Sequence, residues 1–217
     1  MPDLYGPDEK LGNEKVQETS IHDPGAYLGV VGRTYRETSR GRSPRERYVT
    51  EIFIVTKLGE GDNDNLAMMK TTKQAEHSYD LEFLKNSEGA PRIAGCVFRH
   101  TNPVATSADS VNAKNFFAFT RKIFARAFNA FDEENSVVNW KLIQDSIGRF
   151  CSFNLVERNR YVNIDIKSFA LYQQGKATES SMRKVYDQYA AFLETMSEAS
   201  GSSGDAAPPP DDNDLPF

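Results

Sequence analysis

Arginine and tyrosine side chains cluster between residues 33 and 48. A protein that holds a single nucleic acid strand needs cations for the phosphates and aromatic rings on which bases stack. Between residues 29 and 57 the chain has seven Lys or Arg residues against three acidic ones. The cluster therefore predicts a surface for a single strand, formed by Arg33, Tyr35, Arg36, Arg40, Arg42, Arg45, Arg47 and Tyr48.

More residues of the same two types follow in later strand-like segments. Each of them taken alone is as well explained by an ordinary solvated charge or a packed ring. Together with the first cluster they predict an extension of the same surface. These residues are Arg99, Arg158, Arg160, Tyr161 and Lys167.

The last twenty residues carry the whole net negative charge of the chain. Residues 198–217 have five acidic residues and no Lys or Arg, which leaves 26 acidic and 26 basic residues in the rest. The final Phe217 offers an aromatic ring beside an α-carboxylate, a combination that an apolar pocket next to an Arg or Lys can capture. We therefore expect a partner-binding tip made of Asp211, Asp212, Asp214, Leu215, Pro216 and Phe217.

The tip Pro-Pro-Pro-Asp-Asp-Asn-Asp-Leu-Pro-Phe resembles the carboxy-terminal tip of bacterial and phage single-stranded DNA-binding proteins. The resemblance implies that the chain coats and protects single-stranded DNA with little sequence preference. It also implies that the tip recruits replication, recombination and repair proteins and can compete with DNA for the binding surface. The amino end lacks the charged and apolar regions of a secretory signal, so we expect a cytoplasmic protein, of a bacterial cell or a phage-infected host.

Two other functions fit parts of the sequence. The first is a replication or recombination adaptor with a similar body that acts mainly by protein binding. The second is a metal-dependent nuclease, because Asp165-Ile166-Lys167 with an earlier Asp145 or Glu157 faintly resembles the Asp/Glu-x-Lys pattern of such enzymes. Phosphate-loop, serine hydrolase and zinc-protease motifs do not occur, and we predict a protein that is not an enzyme.

The histidines and cysteines do not predict a metal or cofactor site. Cys96 and Cys151 each lie in an apolar, strand-like run, which favours buried free thiols. The three histidines, His22, His77 and His100, are scattered without the spacing of metal ligands. No run approaches the ~18 apolar residues that a membrane span requires.

Hydrophobic periodicity predicts the elements that must position these residues. The sequence predicts a hairpin whose two strands cover residues 25–38 and 47–58 and are joined by a basic loop. It predicts a further strand over residues 92–101. Residues 59–92 give no clear period, and we make no assignment there. A helix is expected over 109–131, capped by Ser107 or Asp109, with one apolar stripe of Phe116, Phe117, Phe119, Ile123, Phe124, Ala127, Phe128 and Phe131.

The second half of the chain predicts a short helix or turn, a hairpin and a long helix. Residues 140–147 favour the short element, and residues 150–156 with 160–169 the hairpin. Val162, Ile164 and Ile166 should share one buried face of that hairpin. An amphipathic helix follows to Met196, and it either docks on the body or mediates self-association into a homo-oligomer.

The order of these elements is similar to the OB-fold, in which a helix sits between the third and fourth strands of a five-stranded barrel. The fold class is therefore expected to be mainly β with helices. We expect a flexible arm over 1–24, an OB-fold domain over 25–176, a helix over 177–197 and a disordered acidic tail over 198–217.

Overall fold

A computed structural model describes residues 23–39, 44–59, 67–158 and 161–201. Almost all of the predicted arm and most of the predicted tail lie outside these ranges. Within them the elements, in chain order, are β1 (Gly25–Thr38), β2 (Glu46–Leu58), β3 (Met69–Ala75), β4 (Ser78–Phe83), β5 (Val97–Pro103), α1 (Val111–Ala127), β6 (Phe131–Asp132), β7 (Val137–Val138), α2 (Trp140–Gln144), β8 (Arg149–Arg158), β9 (Tyr161–Ile164), a 3-10 turn (Ile166–Ser168), β10 (Ala170–Ala177) and α3 (Glu179–Gly201).

One mixed sheet of eight strands contains all the strands except β6 and β7, which form a small ladder of their own. The order along the main sheet is β3-β4-β10-β8-β1-β2-β5, with β9 paired to β8. Strands β4 and β10 run parallel, and the other neighbours run antiparallel. Hairpin β1–β2 lies next to edge strand β5, so these three strands position most of the predicted cluster.

The expected fold class, mainly β with helices, is confirmed, but the five-stranded OB barrel is not. No ladder of described residues joins the two end strands β3 and β5, so the sheet is not closed into a barrel. A single isolated bridge joins Thr56, near the end of β2, to Ala67, just before β3. The helix expected after the third strand follows the fifth, because hairpin β3–β4 comes before it.

The main sheet is buried on both faces. Val30 and Val31 are adjacent in β1 and fully buried, yet they belong to two different hydrophobic clusters. Since successive side chains of a strand point to opposite faces, the clusters lie on opposite sides of the sheet. Phe124 of α1 belongs to the cluster of Val31, and Val185 of α3 belongs to the cluster of Val30. Helix α3 therefore docks on the sheet, one of the two roles expected for it.

Helix α1 is shorter than predicted, and its cap is neither of the residues proposed from the sequence. Ser110 caps the helix, and its hydroxyl accepts a hydrogen bond from the N–H of Ala113 at 3.2 Å. The carboxylate of Asp109 instead accepts from the N–H of Thr106 at 2.6 Å. Ser107 is not the cap either, because the helix starts only at Val111.

The prediction of a single buried stripe along α1 is wrong for two of its phenylalanines. Phe117, Phe124 and Phe128 are buried, whereas Phe116 is 51% and Phe119 49% exposed. An α-helix turns by about 100° per residue, so a side chain one or two positions from Phe117 points well away from the inner face. The aromatic run therefore covers two sides of the helix.

The hairpin predicted over 150–169 is present in its first part. Strands β8 and β9 pair as expected, but Ile166 lies in the 3-10 turn and does not continue the strand face of Val162 and Ile164. Asp165 ends the strand by capping this turn, with its carboxylate accepting from the N–H of Lys167 at 3.4 Å.

Two regions without a sequence prediction also form strands. Hairpin β3–β4 lies within the unassigned segment 59–92. Strand β10 has an irregular register between Leu171 and Lys176, which blurs its period, and Gly175 adopts a positive φ of 100° there. Cys96 and Cys151 are buried free thiols, as predicted. None of the helices in the described ranges is long and apolar enough to cross a membrane.

Candidate nucleic-acid interface

The two faces of hairpin β1–β2 divide the predicted cluster. Arg36 lies opposite Tyr48, and Glu37 lies opposite Arg47. Directly opposed residues share a face, whereas adjacent residues of one strand do not. Arg36 and Tyr48 therefore lie on one face with Asn102, which is opposite Tyr48 on β5. Glu37 and Arg47 lie on the other face.

The second of these faces pairs its arginines with acids of the same face. Arg47 donates to one carboxylate oxygen of Glu37 at 2.9 Å, and Arg99 donates to the other at 2.7 Å. Arg99 also donates to the hydroxyl of Tyr35 at 2.9 Å. Much of the positive charge is therefore balanced within the protein. We call this set the carboxylate face: Arg33, Tyr35, Glu37, Arg47, Glu51 and Arg99.

Helix α3 is anchored to the carboxylate face by Tyr186. Its hydroxyl donates to Glu51 at 3.1 Å and accepts from the N–H of Arg33, whose guanidinium lies 3.8 Å above the ring centre. Gly32 permits this approach, since a Cβ there would lie 2.5 Å from the Tyr186 hydroxyl oxygen. Burial raises the pKa of Glu51, and the hydrogen bond from Tyr186 opposes that shift. This face therefore has a structural role.

The first face has a pair of stacked, half-buried rings. Tyr48 and Trp140, the first residue of α2, stack with ring centres 3.8 Å apart and planes 7° apart. The guanidinium carbon of Arg36 lies 5.9 Å from the centre of the Tyr48 ring. Arg36 forms an ion pair with Glu46, and the two side chains are 53% and 51% exposed. We call Arg36, Tyr48, Asn102 and Trp140 the aromatic face.

The ion pair on the aromatic face is of a kind that a ligand can replace. Exposed ion pairs typically contribute about 0–1 kcal/mol, because water screens the charges and both side chains lose entropy. A phosphate that takes the place of Glu46 beside Arg36 therefore displaces little stabilising energy. On the carboxylate face, by contrast, the shared Glu37 side chain is only 26% exposed.

Polar groups lie buried beside the stacked rings. Asn102 is 1% exposed, and neither its Oδ1 nor its Nδ2 has a hydrogen-bond partner among the described residues. The same holds for Nε2 of His100, two residues earlier on the same face. Thr34 and Thr50, the neighbouring buried pair, do satisfy each other at 3.0 Å. A buried polar group without a partner costs about 1–3 kcal/mol, and the group beside the Asn102 amide that can reduce this cost is the imidazole of His100.

His100 is held neutral in the folded protein. Burial lowers the pKa of its imidazole to about 4, while the side-chain interaction of the imidazole with Asn102 acts in the opposite direction. The ring centre lies 4.5 Å from that of Phe124 on α1. The residue keeps some surface exposure, but Nε2 is inaccessible to solvent. An imidazole enclosed in this way resists protonation.

Arg45 connects the loop between β1 and β2 to helix α1. Its guanidinium donates to Asp109 at 2.7 Å and lies 5.1 Å from the ring centre of Phe117. The Asp109 carboxylate therefore accepts hydrogen bonds from two residues, because Thr106 also donates to it. Arg45 thus positions the loop and α1 relative to each other.

Lys167 is not brought together with the hairpin cluster. It is exposed on the 3-10 turn that follows β9. Strand β9 pairs with β8 at Leu155, and Leu155 lies opposite Gly25, the first residue of β1. Lys167 therefore lies near the start of β1, whereas Arg36 lies near its end.

For several of the predicted residues the structure describes no side chain. Arg40, Arg42 and Arg160 lie outside the described residues, as does the tip 211–217. For Arg158 and Tyr161 the structure describes only the backbone, in which the two residues pair at the end of ladder β8–β9. Their proposed contacts with DNA remain predictions from the sequence.

Helix α1 presents a second combination of cations and exposed rings, which the sequence analysis missed. Phe116 and Phe119 are about half exposed, and residues 111–131 contain no Asp or Glu. The basic residues of the helix are Lys114, Arg121, Lys122 and Arg126, and two of them, Lys122 and Arg126, form exposed ion pairs with Glu133. The angular spacing of the phenylalanines could have revealed this surface, because a single face cannot hold all of them.

The residues of the possible nuclease pattern do not form a metal site in the described part of the chain. Asp165 caps the 3-10 turn, and Asp145 pairs with Lys141 at 2.9 Å. Glu157 is exposed on β8. Among the described residues no group of three or more His, Cys, Asp or Glu side chains lies close enough to hold a metal ion.

Comparison with protein-family models, with curated proteins and with solved structures finds no match to this chain.

Proposed function

We propose that this protein binds single-stranded DNA through the aromatic face and recruits replication, recombination or repair proteins through its carboxy-terminal tip. The observation that carries the proposal is the row of the exposed Arg36 and the half-buried rings of Tyr48 and Trp140. It combines an exchangeable cation with two rings, which are the two kinds of group that a single strand requires. Arg40 and Arg42 follow directly in the sequence and supply further cations.

The α1 surface extends this site in the proposal. Arg45 connects the hairpin loop to α1 through Asp109, so a strand leaving the aromatic face meets a helix rich in cations. The exposed rings of Phe116 and Phe119 then offer further stacking positions. Stacking on aromatic side chains tolerates any base, which suits a protein that coats DNA of every sequence.

The body is proposed to be a distant, partly open relative of the OB-fold. That fold is described as a five-stranded, partly open barrel. Two features support the proposal. Strand β10, the last strand in chain order, pairs in parallel with the early strand β4. In addition, an isolated bridge joins Thr56 to Ala67. The main sheet has eight strands, and those beyond the five of the OB-fold are then additions to that plan.

Titration with oligo(dT) tests the DNA-binding part. Trp140 is the single tryptophan of the chain, so its fluorescence reports directly on the aromatic face. We expect quenching at low salt, a preference for single strands over duplex, and an affinity that falls with salt by a slope of about 0.7 per phosphate contact. Absence of binding at low salt would contradict the proposal.

Removal of Leu215, Pro216 and Phe217 tests the recruiting part and separates the proposal from a protein-binding adaptor. If the protein is a DNA-binding protein with a recruiting tip, the truncated chain binds oligo(dT) at least as tightly as the full chain, while partner recruitment is lost. An adaptor would show weak DNA affinity before and after truncation. A matched deletion within the linker, removing Ser202 to Gly204, keeps the tip and controls for the loss of three residues.

A further inference from the structure

A cleft of about 240 Å³ lies where the end of α1 meets β10. Ala127, the last residue of α1, and Asn129 line it from the helix end, and Leu171, Tyr172 and Gln173 line it from β10. Pockets for drug-sized ligands begin at about 300 Å³, so a cleft slightly smaller than that suits a group of the size of one base.

The cleft lies on the same side of the sheet as the aromatic face. Arg149 of β8 also lines it, two residues before Cys151, which belongs to the same hydrophobic cluster as Phe124 of α1. Since alternate residues of a strand share a face, Arg149 lies on the α1 side of the sheet. His100, on the aromatic face, packs against Phe124 as well. Helix α1 therefore covers the side of the sheet that holds both the aromatic face and the cleft.

The exposed rings of α1 lie on the side of the helix that leads to the cleft. Residues three or four positions apart are neighbours on a helix surface. Phe119 follows Phe116 by three positions, Ile123 follows Phe119 by four, and Ala127 follows Ile123 by four. A strand that stacks on the two exposed phenylalanines is therefore directed along the helix to the cleft.

The cleft combines an aromatic ring with a cation, as a single strand requires. The ring of Tyr172 is 44% exposed. Arg149 is exposed and forms no ion pair with a described residue, and none of the described residues that line the cleft is acidic. Asn129 and Gln173 are also exposed, and their amides both donate and accept hydrogen bonds, so they suit the edge of any base.

We propose that this cleft is a second nucleotide-binding position, at which a base of the single strand stacks on Tyr172 while Arg149 binds the adjacent phosphate. This inference rests on the proposed function and adds to it a second anchor and a path. The strand runs from the aromatic face along α1 to the cleft.

The distance between the two positions sets a minimum length for the strand. Tyr48 lies opposite Arg36 of β1, whereas Phe150, the neighbour of Arg149, lies opposite Val30. Six residues of a strand measure about 20 Å. A DNA strand stacked as in a duplex rises about 3.4 Å per nucleotide, so about six nucleotides span this distance. A trinucleotide has two steps and covers about 14 Å even at twice that rise, so it cannot contact both positions.

The test measures quenching of Trp140 by a trinucleotide and by a sixteen-nucleotide oligo(dT) in the wild type, Tyr172→Ala and Leu193→Ala. Trp140 reports on the aromatic face, so quenching by the trinucleotide does not depend on the cleft. We expect Tyr172→Ala to weaken binding of the long strand about 5- to 150-fold, the loss of one stacked base, and to leave the trinucleotide affinity unchanged. Leu193 is 48% exposed on α3, across the sheet, and Leu193→Ala should change neither affinity.

A second pair of variants tests the phosphate contact. Arg149→Ala should reduce the slope of log affinity against log salt by about 0.7 for the long strand, because one cation fewer releases counterions. Arg183→Ala is the matched control, since Arg183 is an exposed arginine of α3 whose ion pair with Glu179 is also exposed. It should leave the slope unchanged.

An unchanged affinity for the long strand in Tyr172→Ala overturns the inference and leaves the proposed function intact, and so does an equal loss with both lengths. Absence of quenching by the long strand overturns both. Nitrogen-15 NMR on the unaltered full chain decides the matter if the trinucleotide binds too weakly to measure. The backbone amide signals of Asn129 and Gln173 should shift with the long strand while those of Arg183 and Leu193 stay in place, and unshifted signals at the cleft overturn the inference.

Discussion

The carboxylate face and the aromatic face lie on opposite sides of the same three strands. Each combines arginine with aromatic rings. On the carboxylate face Glu37 binds both Arg47 and Arg99, and Glu51 binds Tyr186 of α3. On the aromatic face the rings stack on each other, and the ion pair of Arg36 with Glu46 is exposed.

The difference shows that pairing decides whether a cation is available to a ligand. An arginine that shares a partly enclosed carboxylate gains nothing by moving to a phosphate unless the acid also finds a new partner. An arginine in an exposed pair exchanges its partner at little cost. The composition of the two faces is similar, so the comparison has to be tested through variants that affect one face and spare the other.

The largest expected effect is on stability and comes from the carboxylate face. Tyr186→Ala removes a buried ring that contacts Phe53 edge-on at 5.0 Å and leaves Glu51 without one of its donors. We expect a loss of about 3–5 kcal/mol in the free energy of unfolding, as for other large aromatic truncations in cores. Urea unfolding followed by circular dichroism measures it.

Tyr186→Phe is the matched control for the ring. It keeps the packing and removes only the hydroxyl, so a smaller loss of about 1–3 kcal/mol is expected from the unpaired polar groups. If both variants were as stable as the wild type, the carboxylate face would have no role in holding α3.

The next effect is a pH dependence that has opposite signs on the two faces. The unfolded chain protonates His100 near pH 6.5, whereas the folded protein resists until about pH 4. Between these values the unfolded state binds the extra proton, so His100 lowers stability as the pH falls, by up to about 3 kcal/mol. The pKa of Glu51 is raised in the folded state, so this group favours folding more as the pH falls.

The two contributions are separated by comparing unfolding at pH 7 and near pH 4.5 in single variants. His100→Gln should lose less stability than the wild type on acidification, and Glu51→Gln should lose more. Equal pH profiles for the wild type and His100→Gln would show that the histidine is solvated in the folded protein.

Much of the local structure of this region could be predicted from the sequence. Alternating β-branched and aromatic residues define hairpin β1–β2, and the amphipathic period defines α3, because both patterns are set by residues close in the chain. The sequence also indicates that cations and rings cluster around the first hairpin. The burial of both cysteines follows from the apolar runs that contain them.

The rest depends on contacts between residues far apart in the chain. The ion pair of Arg99 with Glu37 forms only in the observed register of β5 against β2, and no local sequence pattern specifies that register. Trp140 comes to Tyr48 only because α2 packs beside the sheet. Strand β10 pairs in parallel with β4 across a long separation, so the open sheet could not be read from element order alone.

The comparison of the faces predicts a difference in DNA affinity between two tyrosines. Tyr48→Ala removes the ring on which a base stacks and should weaken oligo(dT) binding about 5- to 150-fold, the equivalent of one stacked base at about 1–3 kcal/mol. Tyr35→Ala alters the carboxylate face, where the hydroxyl is engaged by Arg99, and should have a smaller effect. Fluorescence anisotropy of a labelled oligonucleotide measures both, and equal losses would remove the distinction between the faces.

The smallest expected effect concerns one phosphate contact. Arg36→Ala should weaken binding severalfold and reduce the slope of log affinity against log salt by about 0.7, because one cation fewer releases counterions from the single strand. Arg47→Ala should leave that slope unchanged, since Arg47 is held in a partly enclosed ion pair with Glu37. Stability should change by no more than about 0.5 kcal/mol in Arg36→Ala, as usual for an exposed side chain.

Glu46→Gln tests the same contact from the other side. The acid competes with phosphate for Arg36, so its removal should tighten binding slightly and leave the salt slope as in the wild type. If Arg47→Ala instead reduced the slope as much as Arg36→Ala, the carboxylate face would also contact the DNA backbone. Glu37 would then have to release its arginines when the strand binds, and the contrast between the two faces would describe the free protein only.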